Sequence, residues 1–188
     1  MFSQLIDPEI ILRTLEELEK ENDRYKGFAF STRQYFFADP LLPMYENNSA
    51  VGNKLAFELF KHKHKNGFYL SMDINNFKLI NLFNHEEGDK AITRVGYLLR
   101  KCTSHLHRSK LFRSGGDEFV FFSENKEDIY FFIDKVIEEL DTLELIDNKI
   151  KVTLSFGIGK SYVDADNALL LAKKRKAEIT YPIHDLLE

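Results

Sequence analysis

The stretch FRSGGDEFVFF, residues 112–122, constrains this chain more than any other. The aromatic and β-branched residues around it favour strands, yet two glycines and two acids interrupt them. Glycine adopts backbone conformations that a strand interior does not use, and it weakens a strand where it sits. The pair therefore reads as the turn of a hairpin whose arms are KLFR and EFVFF. Asp117 and Glu118 then lie beside core strands, where an unpaired buried carboxylate is very costly. Those charges need solvent or a cation.

The 188 residues suffice for one domain with some extra at the ends. An apolar fraction of 44% with 17 phenylalanines can build a core, and 30% charged residues with a net charge of −4 suit a soluble chain. Nothing is basic enough to coat nucleic acid. One cysteine, Cys102, excludes an intramolecular disulfide and fits a reducing compartment. No apolar run approaches the roughly 18 residues of a membrane span, and no charged-then-apolar leader opens the chain. The expectation is a cytoplasmic protein with neither membrane nor nucleic acid among its partners.

Asp7-Pro8 followed by EIILRTLEELEKEN predicts a capped helix with a narrow stripe of Ile11, Leu15 and Leu18. Such a stripe packs on its own domain or pairs with a copy. Residues 25–50, with Pro40, Pro43 and an Asn pair, read as irregular, and NSAVGNKLAFELFKHKHK reads as helical up to Asn66-Gly67. FYLSMDI is a short strand ending in an acid. Ile92, Val95, Leu99 and Cys102 recur at helical spacing within 88–104, as do Ile129, Ile133, Val136 and Leu140 further on. VTLSFGIG alternates Val152, Leu154, Phe156 and Ile158, a strand with one buried face. DADNALLLAKKRKAE predicts a last helix before a tail. The order β-α-β-β-α-β-α implies an α+β, ferredoxin-like or palm-type sandwich: a mainly antiparallel sheet flanked by helices, with an N-terminal helical extension.

Asp73 ends one predicted strand, and Asp117-Glu118 begins another at the hairpin turn. If those strands are neighbours, the carboxylates converge into a set of hard oxygen ligands suited to Mg²⁺, with positions left for water and phosphate. Gly115 and Gly116 allow a tight turn and the close approach of a ligand. The plain alternative is an acid-capped hairpin with solvated charges.

SGGDEF resembles the signature of the GGDEF family, the diguanylate cyclases. MDINNFKLIN…NHEEGDKAITRVGYLLR is similar to that family's D-x-D-x-F-K-x-I-N-D-x-x-G-H-x-x-G-D segment, and VTLSFGIG with ADNALLLAK resembles its closing elements. The likeness runs from about residue 39 to 178. It implies an N-terminal helix and connector over 1–38, a GGDEF domain over 39–180 and a tail over 181–188. It further implies condensation of two GTP into cyclic di-GMP and two pyrophosphates by a homodimer using Mg²⁺ or Mn²⁺. By motif position Asp73, Asp117 and the main-chain carbonyl of Ile74 bind metal. Glu118 completes the acidic cluster and helps deprotonate the attacking hydroxyl. Lys78 and Lys173 fall near the phosphates, Lys78 serving catalysis as well, and both also read as ordinary helix-surface lysines. Asn81 and Asp89 fall where the family reads guanine; Asp89 also reads as a helix N-cap after Gly88. Asn76, Phe77, Gly115 and Gly116 border the nucleotide by motif position, although Phe77 and Ile80 read as core rather than contact.

The departures are as informative. The family's D-x-L-T-G-L-x-N-R opening appears as DPLLPMYENNSAVGNK, and an insertion before GNKLAF makes Asn53 the nucleotide-proximal amide, with Lys54 in place of Arg. Asn75 stands where a second acid is usual. The loop after Asn81 is one residue short, though His85 remains. Ala177 replaces a phosphate-binding Arg, for which Arg175 or Lys176 can substitute. The inhibitory R-x-x-D falls on Leu106 and Ser109, so feedback through that site is not expected. His62 and His64, like His105 and His107, are spaced two apart and read as surface residues. Three functions follow: an active cyclase, a degenerate domain that binds GTP without turnover, and a related enzyme making another cyclic dinucleotide. A regulatory partner, or the first helix, is expected to bring two copies together.

Overall fold

The computed structural model describes residues 7–21, 37–42, 51–64, 66–83, 85–141, 143–145 and 150–176. Its centre is β1 (Phe68–Ile74), an apolar segment buried along nearly its whole length, as a strand with neighbours on both sides must be. β1 pairs antiparallel with β3 (Glu118–Ser123) on one side and β6 (Leu154–Gly159) on the other, and β2 (Ser109–Arg113) closes the edge beyond β3. The order β2-β3-β1-β6 makes a four-stranded antiparallel sheet flanked by helices, the sandwich expected from the element order. KLFR and EFVFF are indeed hairpin arms.

The side-chain period of two gives the sheet two unlike faces. Leu70, Met72, Phe119 and Phe121 point towards α4 (His85–Cys102) and α5 (Lys126–Leu140) and join their buried stripes in the main core. The helical spacing read in both segments is met, because Ile92, Val95, Leu99 and Cys102, and Ile129, Ile133, Val136 and Leu140, are all buried. On the opposite face, Tyr69, Val120 and Phe122 pack against Phe57 of α2 (Lys54–Lys63) and Ala165 of α6 (Tyr162–Lys176).

Several elements differ from the expectation. The helix read over 48–65 begins at Lys54, because Gly52 bridges Ala38 and Phe112, drawing that part of the chain onto the sheet edge. A β-carbon at Gly52 would run into the Phe112 ring, which explains the glycine there. A short helix, α3 (Phe77–Phe83), follows β1, and α4 begins at His85 rather than 88. A small hairpin, β4 (Glu144–Leu145) with β5 (Ile150–Lys151), precedes β6. The more deeply buried face of β6 is the one opposite Phe156 and Ile158: Ser155, Gly157 and Gly159 are buried on the α6 side, while Phe156 and Ile158 are half-buried against the main core.

α1 (Pro8–Glu21) starts as its capping residue predicts, the Glu9 amide donating to Asp7 Oδ1 at 2.9 Å. Of the two uses foreseen for its apolar stripe, packing on its own domain is found. Leu15 is buried with Phe37 against Leu55, Ala56 and Leu59 of α2. The Leu18 side chain, residues 25–36 and 43–50 of the connector, and the expected tail lie outside the described residues. The four histidines spaced in pairs are exposed, and the His64 ring stacks on Phe60. Among the described residues no helix is long and apolar enough to cross a membrane.

Candidate active site

The antiparallel register sets Asp73 of β1 directly opposite Glu118 of β3. Paired residues share a face, so both carboxylates point to the side covered by α2 and α6. The two acids that the sequence placed at strand ends therefore converge. Asp73 is 7% exposed as a residue, while Glu118 stays open to solvent. Desolvation raises the Glu118 carboxyl above its ordinary value; the Lys173 charge opposes this, and the charges of Asp73, Asp117 and Asp166 add to it. Glu118 is thus a carboxylate crowded by acids.

Lys173 answers that charge. Its Nζ lies 2.5 Å from Asp73 Oδ2. The approach is made by two glycines of β6: a β-carbon at Gly157 or Gly159 would collide with the α6 backbone around Ala165 and Leu169. Ala165, Leu169 and Lys173 are four apart and so share one helix face. The first two are buried against the sheet, and the third reaches its acidic end.

The turn between β2 and β3 is closed by hydrogen bonds from the Ser114 amide to the Glu118 carbonyl, 3.0 Å, and from the Glu118 amide to the Gly115 carbonyl, 3.4 Å. A β-carbon on Gly115 would come within 3.1 Å of the Glu118 carboxylate, whereas Gly116 faces open space. The first glycine makes room for the acid, and the second borders open space. Asp117 is half-buried, and its carbonyl accepts from the Ile74 amide at 3.2 Å. Arg113 braces the turn. Its Nε donates to the Gly116 carbonyl at 2.9 Å and its Nη1 donates to Asp39 Oδ2 at 3.1 Å. The sequence reading missed this brace; its signal was an arginine two residues before the glycines and an acid left over in DPL.

Asn76 takes a left-handed backbone, φ 58°, which an Asn tolerates, and turns the chain from β1 into α3. Lys78 is exposed on α3, Ile80 is core as anticipated, and Phe77 is half-buried against the core. Asn81 lies so close to Gly88 that a β-carbon there would collide with the Asn81 side-chain oxygen. Asn81 and the Gly88-Asp89 step are thereby neighbours. Asp89 is exposed inside α4, four residues past its start, so the N-cap alternative does not hold.

Two asparagines are held by side-chain hydrogen bonds. The Asn53 side chain caps α2, accepting from the Ala56 amide at 2.9 Å, and donates to the Ala38 carbonyl at 3.3 Å. Asn75, standing where the family has a second acid, accepts from Ser155 Oγ at 2.6 Å and donates to Thr153 Oγ1 at 2.9 Å, tying the end of β1 to the β6 segment. Arg175 is exposed on α6; Ala177 and the Lys176 side chain lie outside the described residues.

Among the described residues no three His, Cys, Asp or Glu side chains form a closed metal cluster. Mg²⁺ seldom uses one, because it keeps waters and takes one or two carboxylates together with substrate phosphates. Asp73 and Glu118, two hard oxygen donors side by side next to an open glycine turn, fit that mode.

Residues 42–178 match the family described as diguanylate cyclase, GGDEF domain. No curated protein sequence matches significantly. Among solved structures, the chain resembles the coiled coil and GGDEF domain of DgcB from Caulobacter crescentus in complex with c-di-GMP. That likeness has a TM-score of 0.64 at 18% identity, covering 87% of this chain and 94% of that one. It resembles diguanylate cyclase SiaD of Pseudomonas aeruginosa, solved with its activator SiaC, at TM-score 0.63 and 23% identity over 87% of this chain and 69% of that one. It also resembles the active GGEEF domain of a diguanylate cyclase from Vibrio cholerae, at TM-score 0.51 and 25% identity over 65% and 85%. With the family match spanning most of the sequence and the fold agreeing, this chain belongs to the GGDEF domain family of diguanylate cyclases.

Proposed function

We propose that two copies of this chain, each holding one GTP, condense the nucleotides into cyclic di-GMP and release two pyrophosphates. In each half-reaction the 3′-oxygen of one nucleotide bonds to the α-phosphorus of the other. The bond from that phosphorus to the β-phosphate oxygen breaks, and the hydroxyl proton passes to a base. The observation that carries this reading is the in-register pair Asp73–Glu118 beside an open glycine turn.

Asp73, Asp117, Glu118 and the Ile74 carbonyl would hold Mg²⁺ or Mn²⁺. A bound divalent ion supplies charge neutralisation at the phosphates and lowers the pKa of the attacking hydroxyl. Glu118, its pKa raised, is better suited than an ordinary carboxylate to accept a proton. Lys78 and Lys173 offset phosphate charge, and Gly115 and Gly116 let the triphosphate approach the backbone. Asp89 accepts from the guanine N1–H and amino group, and the Asn81 amide meets another edge of the base, with Asn76 and Phe77 bordering it. Adenine presents the opposite donor pattern, so the pair selects GTP. One chain supplies half of the reaction, which makes the homodimer obligatory. A regulatory protein partner fits this scheme, as SiaD was solved with an activator. Its site of action is the cytoplasm, where GTP is available.

Incubation with Mg²⁺ and labelled GTP or ATP tests the reading. Cyclic di-GMP is the expected product; an ATP-derived or mixed product assigns a different dinucleotide. Asp117→Ala is expected to lower turnover by about 10²-fold or more, and retained turnover removes its metal role. A second reading, a domain that binds GTP without turnover, draws on the Lys173–Asp73 pair and on Asn75 being tied to β6. Bound but unchanged GTP decides for it.

A further inference from the structure

We infer that Lys173 is the resident counter-ion of Asp73, and that a divalent cation reaches this carboxylate by displacing the lysine ammonium. The inference rests on the reading of Asp73 as a metal ligand.

A lysine is out of character where Lys173 stands. Its two predecessors on the same helix face, Ala165 and Leu169, are buried on the sheet, and Gly157 and Gly159 draw that face down to backbone contact. The stripe would ordinarily continue with an apolar residue. It ends instead in an ammonium 2.5 Å from Asp73 Oδ2, with the Asp73 side chain 10% exposed and that of Lys173 37% exposed. A largely buried carboxylate needs a positive partner, and Lys173 supplies it without a metal. An oxygen engaged so closely by an ammonium is a poor ligand for a second cation, and the lysine charge itself repels that cation. The half-exposed lysine has solvent to swing into, whereas the Asp73 side chain is largely buried on a strand paired on both sides. Metal alone must break the pair without compensation. Metal that arrives with a triphosphate brings phosphate oxygens on which Lys173 can settle. Nucleotide and metal then bind with positive coupling, and the lysine is the coupling element.

Mn²⁺ titration of the nucleotide-free full chain, with free Mn²⁺ read by electron paramagnetic resonance, tests this apart from turnover. Lys173→Gln should bind Mn²⁺ on the order of tenfold more tightly than wild type, since a competing charge is gone. Lys173→Arg, which keeps the charge, should stay near wild type. Asp73→Asn should erase the gain in the double variant. Thermal unfolding of each variant establishes that it is folded. If Lys173→Gln leaves Mn²⁺ affinity unchanged or weaker while Asp73→Asn weakens it, the metal site stands and the competition is refuted. If no variant shows Asp73-dependent Mn²⁺ binding, the metal reading itself falls, and the inference with it.

Discussion

The two faces of the sheet are built on different principles. The face towards α4 and α5 is apolar through its centre, where Leu70, Met72, Phe119 and Phe121 meet Phe132, Ile133 and Leu99, and its polar groups lie at the ends, where Ser123 donates to Asp128 and Arg113 pairs with Asp39. The face towards α2 and α6 is graded. Tyr69 and Phe122 give it an aromatic end, Ser71 sits midway with a hydroxyl that finds no partner among the described residues, and Asp73 with Glu118 gives it an acidic end. One strand serves both because successive side chains point opposite ways. Stability can thus be concentrated on one side while the other tolerates charges that a uniform core could not hold.

Substitutions can break or sharpen that contrast. On the apolar face, Phe132 is fully buried and stacks on Phe121 with ring centroids 4.1 Å apart. Phe132→Ala should cost about 3–5 kcal/mol in chemical denaturation, through lost burial plus a cavity. Any loss of turnover should follow the unfolded fraction alone. On the graded face, Gly157→Ala drives a methyl group into the α6 backbone. Overpacking of this kind costs roughly 1–3 kcal/mol and should also loosen the Lys173–Asp73 contact. A variant as stable as wild type would mean that the helix yields freely, and the face would be less rigid than described.

Asn75→Asp should change stability by less than about 1 kcal/mol, because both hydroxyls can donate to a carboxylate. Mn²⁺ affinity should not rise, since this side chain is tied to the β6 segment; a clear gain would bring position 75 into the metal site. The smallest effect concerns pH. The folded pKa of Glu118 lies above its unfolded value, so its ionised form opposes folding. That penalty is fully present above the folded pKa and fades as pH falls through it. Glu118→Gln should therefore unfold at a slightly higher temperature than wild type near neutrality, and the difference should shrink in acid. An equal difference at both pH values would show that the carboxylate charge is not the cause.

Much of this was legible before any coordinates. FYLSMDI coincides with β1, and the buried stripes of α4 and α5 follow their spacing, because one-sided burial leaves a period in the sequence. The short α3 escaped notice: seven residues and one or two turns leave too little period to register. Asn53 as a helix cap could have been found, since an Asn before an apolar helical run is the ordinary N-cap signal. A family position drew attention to its other role instead. Asn75 carried no such local signal, because its partners Thr153 and Ser155 lie about eighty residues away.

The residues themselves supplied the candidates for the proposed chemistry: acids at strand ends, glycines in a hairpin, and the amide and carboxylate proposed to read guanine. Their types and local spacing are properties of neighbouring residues, and neighbours determine turns, strands and helix faces. The three-dimensional fold decided which of those side chains meet. Strand register brought Asp73 to Glu118, and glycines on β6 let α6 deliver Lys173 to the same carboxylate. Pairing across a sheet and the closeness of a helix to it depend on segments far apart in the chain, so no local pattern announces them.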